Sequence, residues 1–239
     1  MIPQPIPEGP CFDKIELTDE QRAFCHKILS SDALAALLID RIKNKVPTSL
    51  IRMSDGERAY MAYSQGKSAT GFMADPAWLK RYGLVNADAR QIGKDLLWAG
   101  NEADFLACTI SGLFWECFVV HPYFPDRKVF IDQFFPSCWQ ATDRVGAVLR
   151  AAPSLVLHRE QATIVPVLKE RYDLANIDGV VLDSWRDHKR LLEELKDHPA
   201  GLVLVSGGAA GKAFIVRLAQ ATGKVVLDVG EAMQGVWVK

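Results

Sequence analysis

Three groups of residues combine type and spacing in ways that do chemistry. In Ser49-Leu50-Ile51-Arg52-Met53-Ser54-Asp55-Gly56-Glu57, two carboxylates flank one glycine at the end of a short apolar run that carries an arginine. Asp55 and Glu57 are hard oxygen donors of the kind Mg²⁺ or Mn²⁺ takes. Gly56 between them lets a metal or a phosphate reach the backbone without meeting a Cβ. The same tripeptide also reads as a turn entering a helix with an acidic first turn, and Asp-Gly is a common turn pair. The second group is Ser206-Gly207-Gly208-Ala209-Ala210-Gly211-Lys212, small residues between an apolar strand and a helix. Such a turn leaves backbone N–H groups for an anion, and Lys212 adds a point charge. It is neither a P-loop, because Ala213 follows Lys212, nor a clean Gly-x-Gly-x-x-Gly. A tight turn whose small residues let helix and sheet pack closely accounts for it equally well. The third group is Leu227-Asp228-Val229-Gly230-Glu231. Asp228 suits a ribose hydroxyl, a metal or a partner of either, or it caps a turn. Arg159, in Leu157-His158-Arg159-Glu160, suits a diphosphate or an ion pair with Glu160.

Other residue types give less. His121, His158 and His188 lack metal-ligand spacing to one another or to the cysteines, so no catalytic histidine is assigned. Ser111-Gly112 has no nucleophile elbow around it. Trp98, Trp115, Trp139 and Trp185 suit the core better than a sugar platform. With 28 basic and 29 acidic side chains the net charge is −1. No field of one sign gathers nucleic acid or anionic lipid, so nucleic acid is not expected as a partner and an anionic ligand must be held locally. Five cysteines without a CxxC pair argue for reduced thiols rather than a disulfide framework or a zinc site. The opening Met1-Ile2-Pro3-Gln4-Pro5 has neither a basic nor an apolar signal region. The most apolar region, from Phe105 to Phe124, is interrupted by Glu116, His121 and Pro122 and is too short and polar to span a bilayer. A cytoplasmic location is the expectation.

The elements that must position these groups alternate. Residues 1–17 read as an extended arm, Thr18-Asp19-Glu20-Gln21 as a capping box for a helix through Ile28, and Ser30 as the N-cap of a helix bearing Leu34, Leu37, Leu38 and Ile42. Pro47 ends this preface before the strand at Leu50. A helix follows Glu57 to about Gln65, then a loop from Gly66 to Asp75, then helices starting at Pro76 and Asp88, the second ending near Gly100. Strands are expected at 105–110, 129–131, 154–157, 180–182, 202–205 and 225–229, and helices at 140–150, 163–171, 184–197 and from the glycine turn to Ala221. Between 112 and 125 lies a stretch rich in aromatics. Continuous β-branched strands alternating with helices predict an α/β, Rossmann-like, mostly parallel sheet with helices on both faces and a helical N-terminal extension. The expected division is an arm and helical extension over 1–47 and a single α/β domain over 48–239. The first carboxylate pair then lies at the edge where open α/β sheets bind ligands.

On these residues the chain resembles a known family. Ile51-Arg52-Met53-Ser54-Asp55-Gly56-Glu57 resembles the Arg-Phe-Gly-Asp-Gly-Glu signature of glycosyltransferases of the GT-D fold, whose Asp-x-Glu motif replaces the Asp-x-Asp of other sugar-nucleotide enzymes. The run from Leu202 to Gly230 is similar to that family's closing segment: apolar strand, glycine turn, helix, then Leu-Asp-x-Gly. Arg159-Glu160 after one strand and Asp183-Ser184-Trp185 after another follow the family's order. Ser54 stands where the family carries glycine, Met53 where it carries an aromatic and Glu231 where it tends to carry histidine. The resemblance implies transfer of a hexose from a nucleotide-diphosphate sugar, a UDP-sugar foremost, to a glycan or glycopeptide acceptor. Mn²⁺ or Mg²⁺ held by Asp55 and Glu57 would neutralise charge on the leaving diphosphate. Arg52, Ser54, Gly56, Arg159, Ser206, Gly207, Gly208 and Lys212 would surround the donor, and Glu57 or Asp228 would serve as base. A nucleotide-sugar-binding protein without turnover and another nucleotide-dependent transferase, such as a methyltransferase, are the alternatives. The position of the glycine turn before the last strand disfavours the methyltransferase.

Overall fold

The computed structural model describes residues 19, 27–67, 75–82, 84–108 and 120–238. The expected helix over 18–28 and most of the aromatic stretch between 112 and 125 lie outside the described residues. The strands are β1 (Ile28–Leu29), β2 (Thr48–Met53), β3 (Phe105–Cys108), β4 (Phe130–Asp132), β5 (Ser154–Leu157), β6 (Ile177–Val180), β7 (Leu202–Val205) and β8 (Val225–Asp228). They form one parallel sheet in the order β1-β4-β3-β2-β8-β7-β5-β6. The helices are α1 (Ser31–Lys43), α2 (Asp55–Ser64), α3 (Pro76–Arg81), α4 (Ala89–Glu102), α5 (Phe135–Ala141), α6 (Arg144–Leu149), α7 (Gln161–Arg171), α8 (His188–Glu194) and α9 (Gly211–Thr222).

Side chains alternate across each strand, so a sheet covered on both faces needs apolar residues at every position. In β7, Leu202 and Leu204 face one core with Leu50, Ala107 and Leu227, while Val203 and Val205 face the other with Ile51, Met53 and Leu106. The first core lies under α1, α5, α6 and α7; the second lies under α2, α4, α8 and α9. Edge strand β1 pairs with β4, and α1 sends Leu34, Leu38 and Ile42 into the first core. Ser30 caps α1 as its type requires, its hydroxyl accepting the Ala33 N–H at 3.2 Å.

Several boundaries differ from the sequence reading. The helix expected over 140–150 is two helices, parted at Asp143, whose φ of 54° breaks the α-helical run. The strand expected at 180–182 lies earlier, as β6. Its Asp178 and Gly179 read as a turn, but pairing with β5 holds them extended at the sheet edge. The expected helix over 184–197 shortens to a 3₁₀ turn at Trp185–Asp187 followed by α8. A π-helical turn at Met233–Trp237 follows β8. Among the described residues no helix is long and apolar enough to cross a membrane.

From β2 the chain runs outward through β3 and β4, crosses to β5 and β6, and returns through β7 and β8 to lie beside β2. The carboxyl ends of β2 and β8 therefore meet where strand order reverses, the place at which such sheets open a crevice for ligands.

Candidate active site

A cleft of about 420 Å³ opens at that crevice. Its wall comes from residues at or just beyond the carboxyl ends of six strands: Arg52 from β2, Gln133 after β4, His158 and Arg159 after β5, Asp183 and Ser184 after β6, Ser206 to Gly208 after β7, and Asp228 with Gly230 and Glu231 from β8. Ser54, Glu57, Lys212 and Tyr82 also line it, with Glu160, Leu182 and Gln234. The fold thus brings Arg52, Ser54, Glu57, Arg159, Ser206, Gly207, Gly208, Lys212 and Asp228 into one cavity, although they span the chain from one end of the domain to the other.

Helix α2 begins at Asp55 with Ser54 as N-cap in an extended conformation. The Ser54 N–H and hydroxyl both donate to Glu57 Oε2, each at 3.1 Å. This is the glutamate half of a capping box, so Glu57 is held by the helix start that it stabilises. The hydroxyl contact exists only because serine, not glycine, occupies position 54. Gly56 is buried in the first turn; the Asp55 side chain lies outside the described residues.

Below Glu57 lies a buried ionic cluster. Lys212, in the first turn of α9, pairs with Asp228 Oδ2 and lies 3.5 Å from Glu57 Oε1. Asp228 is 1% exposed, and its Oδ2 also accepts the Arg52 N–H at 3.0 Å. Burial works to lower the Lys212 pKa, but Asp228 and then Glu57 outweigh it and hold the ammonium above the ordinary lysine value. Sequence reasoning placed Lys212 toward a phosphate; its Nζ faces these carboxylates.

The Arg52 guanidinium donates from Nη1 to the Val229 carbonyl at 2.6 Å, while its buried Nε has no partner among the described residues. Gly230 makes room for it: φ is +52°, and a Cβ there would stand 2.8 Å from Arg52 Nη1.

Beyond β7, the Ser206 N–H donates to Leu157 and the Gly211 N–H to Gly207 and Gly208. Among the described residues, the N–H groups of Gly207 to Ala210 have no backbone acceptor. Gly208 is left-handed at φ +58° and packs on the Tyr82 carbonyl, which a Cβ would approach to 2.9 Å. Successive free N–H groups around a left-handed residue form a concave anion site, here at the start of a helix.

Arg159 pairs with Asp183, Nε to Oδ1 at 3.4 Å, rather than with Glu160, which accepts from Gln234 at 2.6 Å. His158 accepts the Glu160 N–H on Nδ1 at 2.8 Å, and burial lowers its pKa. Sequence reasoning missed Asp132 and Gln133 because it ended β4 one residue early; the polar pair directly after the apolar run was the available signal. Asp132 is buried, accepts the Phe134 N–H on Oδ1 at 2.8 Å and leaves Oδ2 without a partner among the described residues. Burial pushes its pKa up to about 6, against the Phe134 hydrogen bond and the charge of Arg52, which pull it down.

Arginine, a backbone anion cradle and carboxylates set in one crevice can bind a diphosphate and a hard cation together. No curated protein and no solved structure matches the chain. The family model described as GT-D fold-like domain matches residues 29–236, nearly all of the sheet just described. By that match, the chain belongs to the GT-D fold-like domain family.

Proposed function

We infer that this protein is a glycosyltransferase that moves a hexose from a nucleotide-diphosphate sugar, a UDP-sugar foremost, to a glycan or glycoconjugate acceptor. One observation carries the reading: the Gly207-Gly208 turn, whose N–H groups have no backbone acceptor among the described residues, Arg52 and Glu57 line one cleft at the switch point of the sheet. The cradle and Arg52 hold phosphate oxygens. Arg159, paired with Asp183, lines the cleft on the β5–β6 side and would add a second guanidinium for the diphosphate.

Among the described residues no group of three or more His, Cys, Asp or Glu could hold a metal ion, so a divalent cation here would rest on Asp55, Glu57 and the diphosphate together. The described lining carries three basic and five acidic side chains, so a diphosphate entering alone meets an excess of negative charge. Asp55 and Glu57 would hold the Mn²⁺ or Mg²⁺, with Glu57 Oε1 the oxygen that Ser54 leaves unused. When bound, the ion would supply Lewis-acid neutralisation of the leaving diphosphate. The chain's own part is positional. Ser54 and Lys212 orient Glu57, and Arg52 and the glycine turn orient the donor. Asp228 is enclosed, so its part is to hold Lys212 and the β2 backbone. Activation of the acceptor hydroxyl falls to Glu57 or to the departing diphosphate.

Thermal shift with UDP, GDP and S-adenosylmethionine, each with and without Mn²⁺, tests the reading. Stabilisation by a nucleoside diphosphate that grows with Mn²⁺ is the expected result; stabilisation by S-adenosylmethionine alone would overturn it. Transfer assays follow. Asp55→Ala is expected to lose transfer by at least about 100-fold, the loss that several kcal/mol of transition-state stabilisation implies, with its far-UV spectrum unchanged. Full turnover in that variant removes the metal role. Nucleotide binding by the wild type without any turnover makes the protein a binder on the same fold.

A further inference from the structure

Lys212 is buried in the wall of the cleft, and its ammonium is committed to carboxylates rather than left for a phosphate. Its ammonium is bound to Asp228 and stands 3.5 Å from Glu57 Oε1. Since Ser54 occupies Oε2 twice, Oε1 is the glutamate oxygen left for a cation, and a fixed positive charge already stands beside it. Arg52 donates its backbone N–H to Asp228 and its Nη1 to the Val229 carbonyl. The Lys212 ammonium therefore offsets part of the negative charge of Glu57 and Asp228. A divalent ion at Oε1 would be repelled by this ammonium. A diphosphate changes the balance by bringing two or more negative charges of its own.

Resting on the donor reading above, we propose that Lys212 makes cation binding at Glu57 conditional on the nucleotide diphosphate. Metal and diphosphate enter as a coupled pair, and the site stays metal-poor between turnovers. Coupling of this kind is reciprocal: the factor by which the nucleotide tightens the ion equals the factor by which the ion tightens the nucleotide.

The test is Mn²⁺ binding, read from the electron paramagnetic resonance signal of the free ion, for wild type, Lys212→Arg and Lys212→Met, each with and without UDP. Wild type and Lys212→Arg are expected to bind Mn²⁺ at least about tenfold more tightly with UDP than without. Lys212→Met is expected to bind Mn²⁺ without UDP at least about tenfold more tightly than wild type does, and to lose most of the dependence on UDP. Equal Mn²⁺ affinity with and without UDP in the wild type, or a Lys212→Met variant that matches wild type without UDP, overturns the proposal. Removing the ammonium leaves Asp228 and Glu57 uncompensated, so far-UV circular dichroism accompanies the titrations. If Lys212→Met does not fold, wild-type calorimetry still decides, because the UDP affinity must differ with and without Mn²⁺ by the same factor. Failure of UDP to bind in every condition sinks the donor reading instead. The role of Lys212 then stands or falls on the difference in Mn²⁺ affinity between Lys212→Met and wild type.

Discussion

Asp132 occupies a place that its charge makes expensive. One carboxyl oxygen accepts the Phe134 N–H; the other is buried without a partner among the described residues, and burial raises the pKa to about 6. A carboxyl whose pKa is higher in the folded state than in the unfolded chain favours folding while it is neutral. That contribution is complete below its ordinary value near 3.8 and is lost as pH rises through about 6. Asp132→Asn removes the titration, so its stability relative to wild type is expected to improve between pH 4 and pH 7.5, by up to about 3 kcal/mol. Urea denaturation across that range measures it, and a flat difference would show a solvated carboxyl. Asp228 is the opposite case, a buried carboxylate with a buried partner. Asp228→Ala strands the Lys212 ammonium and is expected to destabilise the fold by about 3–5 kcal/mol in the same measurement. At this scale the sequence showed which residues come together in the cleft but not where they point. Arg52, Glu57 and Asp228 were identified by type and position at strand ends. That Lys212, in the cleft wall, meets two carboxylates depends on how α9 lies across β2 and β8, contacts between residues far apart in the chain.

Helix α2 carries Glu57 at its start, and its seat is set by steric contact. Gly93 in α4 lies so close to the α2 backbone that a Cβ would stand 2.1 Å from the Tyr60 carbonyl oxygen. Gly93→Ala must push the two helices apart, and overpacking of this kind costs about 1–3 kcal/mol. A melting temperature lowered by several degrees, together with weaker nucleotide binding, is the expected result; an unchanged melting temperature would mean that the helices yield freely. Strands β2, β5, β7 and β8 were legible because a parallel sheet covered on both faces demands uninterrupted apolar residues. Helix starts at Ser30, Pro76 and Asp88 were legible because start signals are local, whereas α2 begins at Asp55, ahead of the start expected after Glu57. Boundaries set by neighbours were not. Asp143 breaks a run that looks helical, and β6 is a strand through its pairing with β5, despite the Asp178-Gly179 pair.

At the scale of the molecule, the sheet divides the interior into two cores, and the segment before β2 closes one of them. Leu34, Leu38 and Ile42 of α1 are buried there, each worth roughly 1.5–3 kcal/mol of apolar burial. The Trp139 indole N–H donates to the Ser31 carbonyl at 2.8 Å, fastening α1 to α5. A chain lacking residues 1–47 is expected to lose cooperative unfolding and to self-associate, which size-exclusion chromatography and circular dichroism will show; a truncated chain that melts as the full one does would make the segment dispensable. The two margins of the sheet are guarded in a different way. On one side β1 offers only two residues for pairing. On the other, β6 presents an exposed aspartate followed by a glycine, a poor template for a further strand. The irregularity that hid β6 in the sequence therefore protects the folded protein: it denies other chains an edge on which fibrils could grow.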